Sequence, residues 1–325
     1  MESEEGALDS PRKLREEDGM HRFLLVLSLC SLFLGWRLEA AEAPATVRKA
    51  LPVAPAKPSG ASAAPKVSSA KVPGTDASTG RGAPAVQAAA AILVDARSGA
   101  VLYEWNADQK RPVASTQKLM TALLVAERGG LEEPVRVAVP DTYAEPSKLY
   151  IKPGEVYSRL KLLQVLLVKS MNDVARCLAR DHAGSVEAFA ERMNQKAQQL
   201  GMVNSHFVNP NGLPAKGQYS TARDMSVLAR AAYRNKALRG ITCMKSLAWT
   251  YPDGSQKVFN NTNRVLTSLS ACNGLKTGYT DAAGFCLVSS AAVGSREVIA
   301  VVLGDKRDSI WTDSHRLLAW GLTRS

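Results

Sequence analysis

Ser115-Thr116-Gln117-Lys118, Ser170-Met171-Asn172 and Lys276-Thr277-Gly278 hold the residues of this chain best suited to covalent chemistry. A serine hydroxyl is a weak nucleophile until a nearby base takes its proton. His21, His182, His206 and His315 form no catalytic pattern, so the base must be of another type. A lysine serves once burial or a neighbouring cation lowers its pKa. Lys118 is followed by Leu119, Met120 and Ala122 and stands three residues after Ser115, on the same face of a helix. Amide groups at the start of that helix favour developing negative charge, and Lys276 can be the neighbouring cation. Ser170 can relay a proton and Asn172 can bind a substrate amide. On a strand, Lys276 offers charge, Thr277 a hydroxyl for a carboxylate, and Gly278 room for a ligand backbone. Taken singly, each signature has a plainer reading: a capping serine with a solvated lysine, a capping turn, an edge strand with a surface lysine. Their joint presence, with 55 residues from Ser115 to Ser170 and 106 from Ser170 to Lys276, calls for separate elements folded back on one another.

The folded part opens near Ala89 and reads as α+β. Ala91–Asp95 and Ala100–Glu104 flank an Arg97-Ser98-Gly99 turn and predict a hairpin. Helical spacing runs from Thr116 to Arg128, stopped by Gly129-Gly130, with Ser115 at its start. A second helical region covers about Leu160–His182, interrupted at Ser170-Met171-Asn172. Ser185–Leu200 and Thr221–Asn235 are further helices, the latter capped by Ser220 or Thr221. The period then changes. Leu247–Tyr251, Lys257–Phe259, Gly274–Tyr279, Phe285–Ala292 and Glu297–Leu303 read as strands, and Ser309–Gly321 closes as an amphipathic helix. Strand hairpin, helices, strands and helix in that order predict an antiparallel sheet built from both chain ends, packed against a helical cluster.

Before this domain the composition is different. Arg12, Lys13, Arg15 and Arg22 precede the apolar run Phe23–Leu34, and Ala40, Ala41 and Ala43 follow it. That is the pattern of a secretory signal, so residues 1–43 are read as a signal region, an uncleaved N-terminal membrane tether being the alternative. Residues 44–88, rich in Ala, Pro, Ser and Lys, are read as a disordered linker, and residues 89–325 as the catalytic domain. The net charge of the whole chain is +11, and residues 89–325 carry +10 of it. A basic domain with no Gly-rich phosphate cradle and no aromatic-basic clusters fits an anionic membrane face or an anionic wall polymer better than nucleic acid. Cys177, Cys243, Cys272 and Cys286 show no C-x-x-C or metal-ligand spacing; one disulfide or buried free thiols are the two readings.

The three signatures resemble those of the penicillin-recognising serine enzymes. More narrowly, Phe207–Pro214, Tyr219–Met225, Asn261–Arg264 and Gly274–Thr280 are similar to segments of the low-molecular-mass serine D-alanyl-D-alanine carboxypeptidases, and the resemblance covers residues 88–322. It implies a DD-peptidase/β-lactamase-like fold and peptidoglycan stem peptides as substrate. It implies no cofactor or metal, β-lactams as covalent inhibitors, and export to the periplasm or cell envelope. By the same resemblance Ser115 is acylated, Lys118 is the base, and Ser170 with Lys276 passes a proton to the departing D-alanine. Asn172 holds the peptide, Thr277 meets the terminal carboxylate, and the backbone amides of Ser115 and Tyr279 form the oxyanion hole. Two departures are visible. Ile310 stands where such enzymes often carry a carboxylate-binding arginine, leaving Arg307 or Arg264 as substitutes. The chain also closes at Ser325, so any attachment is expected from the N-terminus. The alternatives are a D,D-endopeptidase or β-lactamase on the same fold, or a non-catalytic wall-binding protein. Glu187 and Asp224 lack the context of a deacylating carboxylate, and binding alone needs no activated serine.

Overall fold

The computed structural model describes residues 82–324, so the signal region and most of the linker stretch lie outside the described residues. By Ala88 the backbone is buried, and the Gln87 N–H donates to the Asp313 carboxylate at 2.5 Å.

A five-stranded antiparallel sheet comes from both ends of the domain. β1 (Ala90–Asp95) and β2 (Val101–Trp105) form the N-terminal hairpin; β7 (Cys272–Thr280), β8 (Gly284–Val293) and β9 (Arg296–Asp305) form the C-terminal meander. The order is β2-β1-β9-β8-β7, with Ala90 opposite Leu303 and Asp95 opposite Val298. Side chains alternate faces along a strand, and here both faces are apolar. Ile92, Val94, Ile299 and Val301 point into the helical cluster. Leu93, Val298, Ala300 and Val302 point to the other side, beneath α8 (Ile310–Leu322), which contributes Ile310, Leu317 and Leu318. Gly321 lets α8 lie close, since a Cβ there would stand 2.6 Å from Leu93 Cδ2.

The helical side holds α1 (Lys118–Arg128), α2 (Arg159–Lys169), α3 (Asn172–Ala183), α4 (Val186–Leu200), α5 (Ala222–Arg234) and α6 (Lys236–Thr242). Leu119, Met120, Ala122, Leu123 and Val125 are all buried, so α1 has neighbours nearly all round. Of the two caps the sequence offered for α5, Thr221 is the one used: its hydroxyl accepts from the Asp224 N–H. The helix expected from Thr116 begins at Lys118, and a 3₁₀ turn, Ala114–Gln117, precedes it. Two short hairpins, β3 (Pro134–Arg136) with β4 (Val156–Ser158) and β5 (Ser246–Thr250) with β6 (Gln256–Asn260), and a single turn of helix, α7 (Val265–Ser268), complete the domain. Cys177, Cys243, Cys272 and Cys286 are free thiols, and only Cys243 is exposed.

Two local features put the second signature where a cleft can use it. α2 ends with Ser170 in the left-handed region, φ 72°, its N–H donating to the Leu166 carbonyl at 3.0 Å. This sharp stop turns the chain so that α3 can start at Asn172 two residues on. The fully buried Asp173 then accepts N–H donors from Leu149, Tyr150 and Ile151 at 3.0, 2.8 and 3.3 Å. Asn172 fastens the preceding residues, its N–H donating to the Ser147 carbonyl and its Nδ2 to that of Pro146. One wall of the cleft is thus held by the first two residues of α3.

Replacing Asp173 by alanine leaves the buried N–H groups of Leu149 and Ile151, and the half-buried one of Tyr150, without their acceptor, and the expected loss of stability is about 3 kcal/mol in urea unfolding. Hydrogen exchange at Leu149, Tyr150 and Ile151 should accelerate selectively; unchanged protection there would show that Asp173 does not hold this wall.

Candidate active site

Ser115 sits in the 3₁₀ turn just before α1, and two glycines let neighbouring backbone press against it. Gly212, at φ 84°, lies so near that a Cβ would stand 2.1 Å from the Ala114 carbonyl oxygen. A Cβ on Gly278 would stand 2.8 Å from the Ser115 nitrogen and 2.9 Å from that of Thr116. Gly278 therefore serves a purpose the sequence reading did not give it: it lets β7 itself pass against the serine turn. Ala114, squeezed between these neighbours, takes φ 48°. That squeeze accounts for the tight 3₁₀ turn where regular helix was expected.

Behind the serine, Lys118 is completely buried. Its Nζ lies 2.8 Å from Ser115 Oγ, 2.6 Å from Asn172 Oδ1 and 2.6 Å from the Asn211 carbonyl oxygen. As an ammonium it donates to all three. As a neutral amine it donates to the two carbonyl oxygens and keeps its lone pair for the Ser115 O–H. Burial pushes its pKa well below the usual lysine range, Lys276 lowers it further, and Asp173 opposes both. Lys276 is also fully buried, its Nζ donating to the Thr277 carbonyl at 2.9 Å, and burial lowers its pKa to about 7.

The loop carrying Asn211 is fixed by side chains pointing out of α1 and the turn before it. Thr121 Oγ1 donates to the Pro210 carbonyl at 2.6 Å and Gln117 Nε2 to the Asn209 carbonyl at 2.5 Å. Ser115, Ser170, Thr277, Gly278 and Tyr279 line a cleft of about 790 Å³, while Lys118, Asn172 and Lys276 are buried behind it. Both ends of the Asn172 amide are engaged within the protein, by Lys118 and by Pro146. Ser170 Oγ makes no hydrogen bond to Lys118 or Lys276 among the described residues. Thr277 Oγ1 lies 2.7 Å from Thr262 Oγ1, a hydroxyl pair at the β7 edge. Ile310 is buried where an arginine was sought. Neither proposed substitute lines the cleft: Arg264 stacks on the Trp311 ring at 5.4 Å and Arg307 on the Phe285 ring at 5.6 Å, and it is these two rings that face it.

All eight site residues expected from the sequence, Ser115, Lys118, Ser170, Asn172, Lys276, Thr277, Gly278 and Tyr279, therefore converge on one cleft or directly behind it. Sequence reasoning passed over Asp173, Gln117, Thr262 and the Asn211 carbonyl. The first three sit inside or beside quoted segments, and a closer look at polar residues flanking each signature could have raised them. A backbone carbonyl leaves no trace in residue type.

A family model described as D-alanyl-D-alanine carboxypeptidase, the S11 peptidases, matches residues 77–307. The chain is 34% identical over 229 residues to the D-alanyl-D-alanine carboxypeptidase DacF of Bacillus subtilis, covering 67% of this chain and 57% of that one. It is 39% identical over 253 residues to DacC of Escherichia coli, covering 74% and 62%. The chain thus spans about three fifths of the length of these two relatives. The crystal structure of a D-alanyl-D-alanine carboxypeptidase from Mycobacterium tuberculosis superposes with a TM-score of 0.71 at 33% identity, over 74% of this chain and 93% of that one. With the family model spanning most of the chain and identities above 30%, this chain belongs to the S11 family of D-alanyl-D-alanine carboxypeptidases.

Proposed function

We propose that the chain is a serine-type D-alanyl-D-alanine carboxypeptidase acting on peptidoglycan stem peptides through an acyl-enzyme on Ser115. The reading rests above all on one observation: a fully buried Lys118 amine, with a depressed pKa, 2.8 Å from the Ser115 hydroxyl. Ser115 Oγ attacks the carbonyl of the penultimate D-alanine as its proton passes to Lys118. The backbone N–H groups of Ser115 and Tyr279 receive the oxyanion. Asn172 orients the peptide, and Ser170 with Lys276 delivers a proton to the departing amine. Gly278 keeps β7 close enough for this arrangement. Thr277, paired with Thr262, receives the terminal carboxylate in place of an arginine. Water then hydrolyses the ester, and β-lactams acylate the same serine. Residues 89–325 form the peptidase domain; the signal region and the 44–88 linker would carry it to the periplasm or cell envelope, released or held by an N-terminal tether. The basic balance of the domain suits an anionic wall polymer.

Labelled penicillin should attach covalently to the wild-type chain and not to Ser115→Ala, and the wild type should release D-alanine from a pentapeptide. Absence of label on the wild type sinks the acyl-enzyme, and label on Ser115→Ala sinks the choice of nucleophile.

Only neutral Lys118 can accept a proton, so acylation should rise with pH through an apparent pKa well below the lysine norm. Lys276→Gln removes the cation that helps keep Lys118 deprotonated. The rising limb should then move to higher pH, by on the order of one unit. A limb that stays in place would show that Lys276 does not tune the base.

A further inference from the structure

At the end of the sheet away from Ser115, five arginines gather around two carboxylates. Arg230 and Arg234, one turn apart on α5, both donate to the Arg97 carbonyl, at 2.9 and 2.8 Å. Neither has an ion-pair partner among the described residues. The exposed Arg97 side chain reaches Glu297 at 3.4 Å, and Arg239 on α6 reaches the same carboxylate at 2.9 Å. Arg296 lies 3.7 Å from Asp95, whose other oxygen accepts the N–H groups of Arg97 and Ser98. Like charges one turn apart on a helix repel. Burial and the charge of Arg234 lower the Arg230 pKa, and Asp95 opposes them. Two guanidiniums held together without a carboxylate are stabilised by an external anion, and their planar forks match phosphate oxygens in particular.

Strand register fixes where this cluster stands. Thr277 pairs with Leu287 and Leu287 with Val302, while Glu297 comes five residues earlier on β9. At about 3.4 Å per residue, the cluster lies about 17 Å down the sheet from Thr277. None of its arginines lines the catalytic cleft. The polypeptide enters the described domain at the same end. Arg296 Nε donates to the Gly321 carbonyl near the close of α8, and a Cβ on Gly82 would stand 3.6 Å from the Arg324 guanidinium, three residues on. The sequence before Gly82 includes the apolar run Phe23–Leu34, and residues 44–88 carry six basic side chains against Asp76 alone. The stretch that would tether the chain thus joins it beside the arginines and away from the cleft.

We propose that Arg97, Arg230, Arg234 and Arg239 form a docking surface for the phosphate headgroups of an anionic bilayer, with the Ser115 cleft turned away from it. A tether entering beside the cluster and a charged face around it hold the domain in one orientation, its cleft open toward the wall. The docking stands apart from the acyl-enzyme chemistry and gives the N-terminal tether proposed above a second contact. A single basic side chain adds only modest affinity for an anionic surface, so the effect comes from several acting together with the tether.

The test mixes the full-length chain with vesicles of phosphatidylcholine alone and with vesicles containing a third phosphatidylglycerol, and reads the ratio of the two partition coefficients. The N-terminal apolar run contributes to both and cancels. Arg230→Gln/Arg234→Gln should lower the ratio by about tenfold. Raised salt should bring the wild type toward the same value, since exposed charges are screened. Arg230→Lys/Arg234→Lys loses the same guanidinium bonds to Arg97 but keeps the charge, and should retain most of the ratio; a local folding defect cannot imitate that pattern. Lys110→Gln/Lys216→Gln removes two exposed charges from the other end, beside Tyr219 and Gly212, and should change it little. An undiminished ratio in the arginine-to-glutamine pair, or an equal fall in the Lys110 and Lys216 pair, overturns the surface. So does a wild type that isolated peptidoglycan retains through Arg230 and Arg234 while vesicle charge makes no difference. Labelled penicillin should reach Ser115 as fast on the vesicle-bound chain as on the free one; slowing on vesicles overturns the orientation. Failure of the label on both would refute the acyl-enzyme and leave the docking surface standing.

Discussion

An amine kept away from water is the condition on which the whole neighbourhood of Ser115 depends. Removing an ammonium from water is so costly that a buried lysine shifts its pKa and gives up its proton more readily. Lys118 meets this condition only because three elements close over it: α1 supplies the side chain, α3 supplies Asn172, and the 209–213 loop supplies the Asn211 carbonyl. The last two bring one acceptor each and Ser115 Oγ is the third, so the amine can take either protonation state without leaving a polar atom unpaired. Lys276 sets the charge from the side of the sheet, and Asp173 offsets it from within α3. The lowered pKa of Lys118 is therefore a property of the assembled domain, with the helical cluster and the sheet each contributing an electrostatic influence.

Such a site is locally unfavourable. Ala114 and Ser170 both occupy the left-handed region, at φ 48° and 72°, where a side-chain-bearing residue costs roughly 1–2 kcal/mol. Two lysines, Asn172 and Asp173 are withdrawn from solvent. What offsets this is a sheet apolar on both faces, with α8 on one side and the tightly buried α1 on the other. Gly212 and Gly278 relieve the serine turn by allowing backbone to approach backbone. Ala114 adjoins Ser115, and Ser170 lines the same cleft from the end of α2.

Much of this was legible in the sequence because periodicity and chemistry agreed. The apolar runs of β1, β8 and β9, the stop at Gly129, a cap at Ser220 or Thr221 and the break at Ser170 follow from residue type, and the structure has each of them, with Thr221 as the cap. The short elements were not legible. α6 runs only from Lys236 to Thr242, and β3 and β4 have three residues each, too few for a period to appear. The approach of Gly278 to the serine turn was not legible for another reason: a glycine signals that something comes close without saying what. Ile310 shows the converse. Sequence reading offered Arg264 and Arg307 as substitutes for an arginine at Ile310, and only the structure shows that both lie behind aromatic rings.

The pairing of β1 with β9 reaches beyond the static fold. Ala90 lies against Leu303, so a central contact of the sheet joins residues at opposite ends of the domain. Contacts so distant in sequence form late, because a long loop must close before they yield any stabilisation. Until β9 is available, β1 and β2 have no sheet to join, and the helical cluster lacks the surface that covers Ile92 and Val94. The Ser115–Lys118 pair cannot be assembled early either, since β7 and Lys276 also arrive in the last quarter of the chain. The topology thus acts as a timer: in a nascent chain the surroundings of Ser115 and Lys118 are incomplete until β7, β8 and β9 have been made.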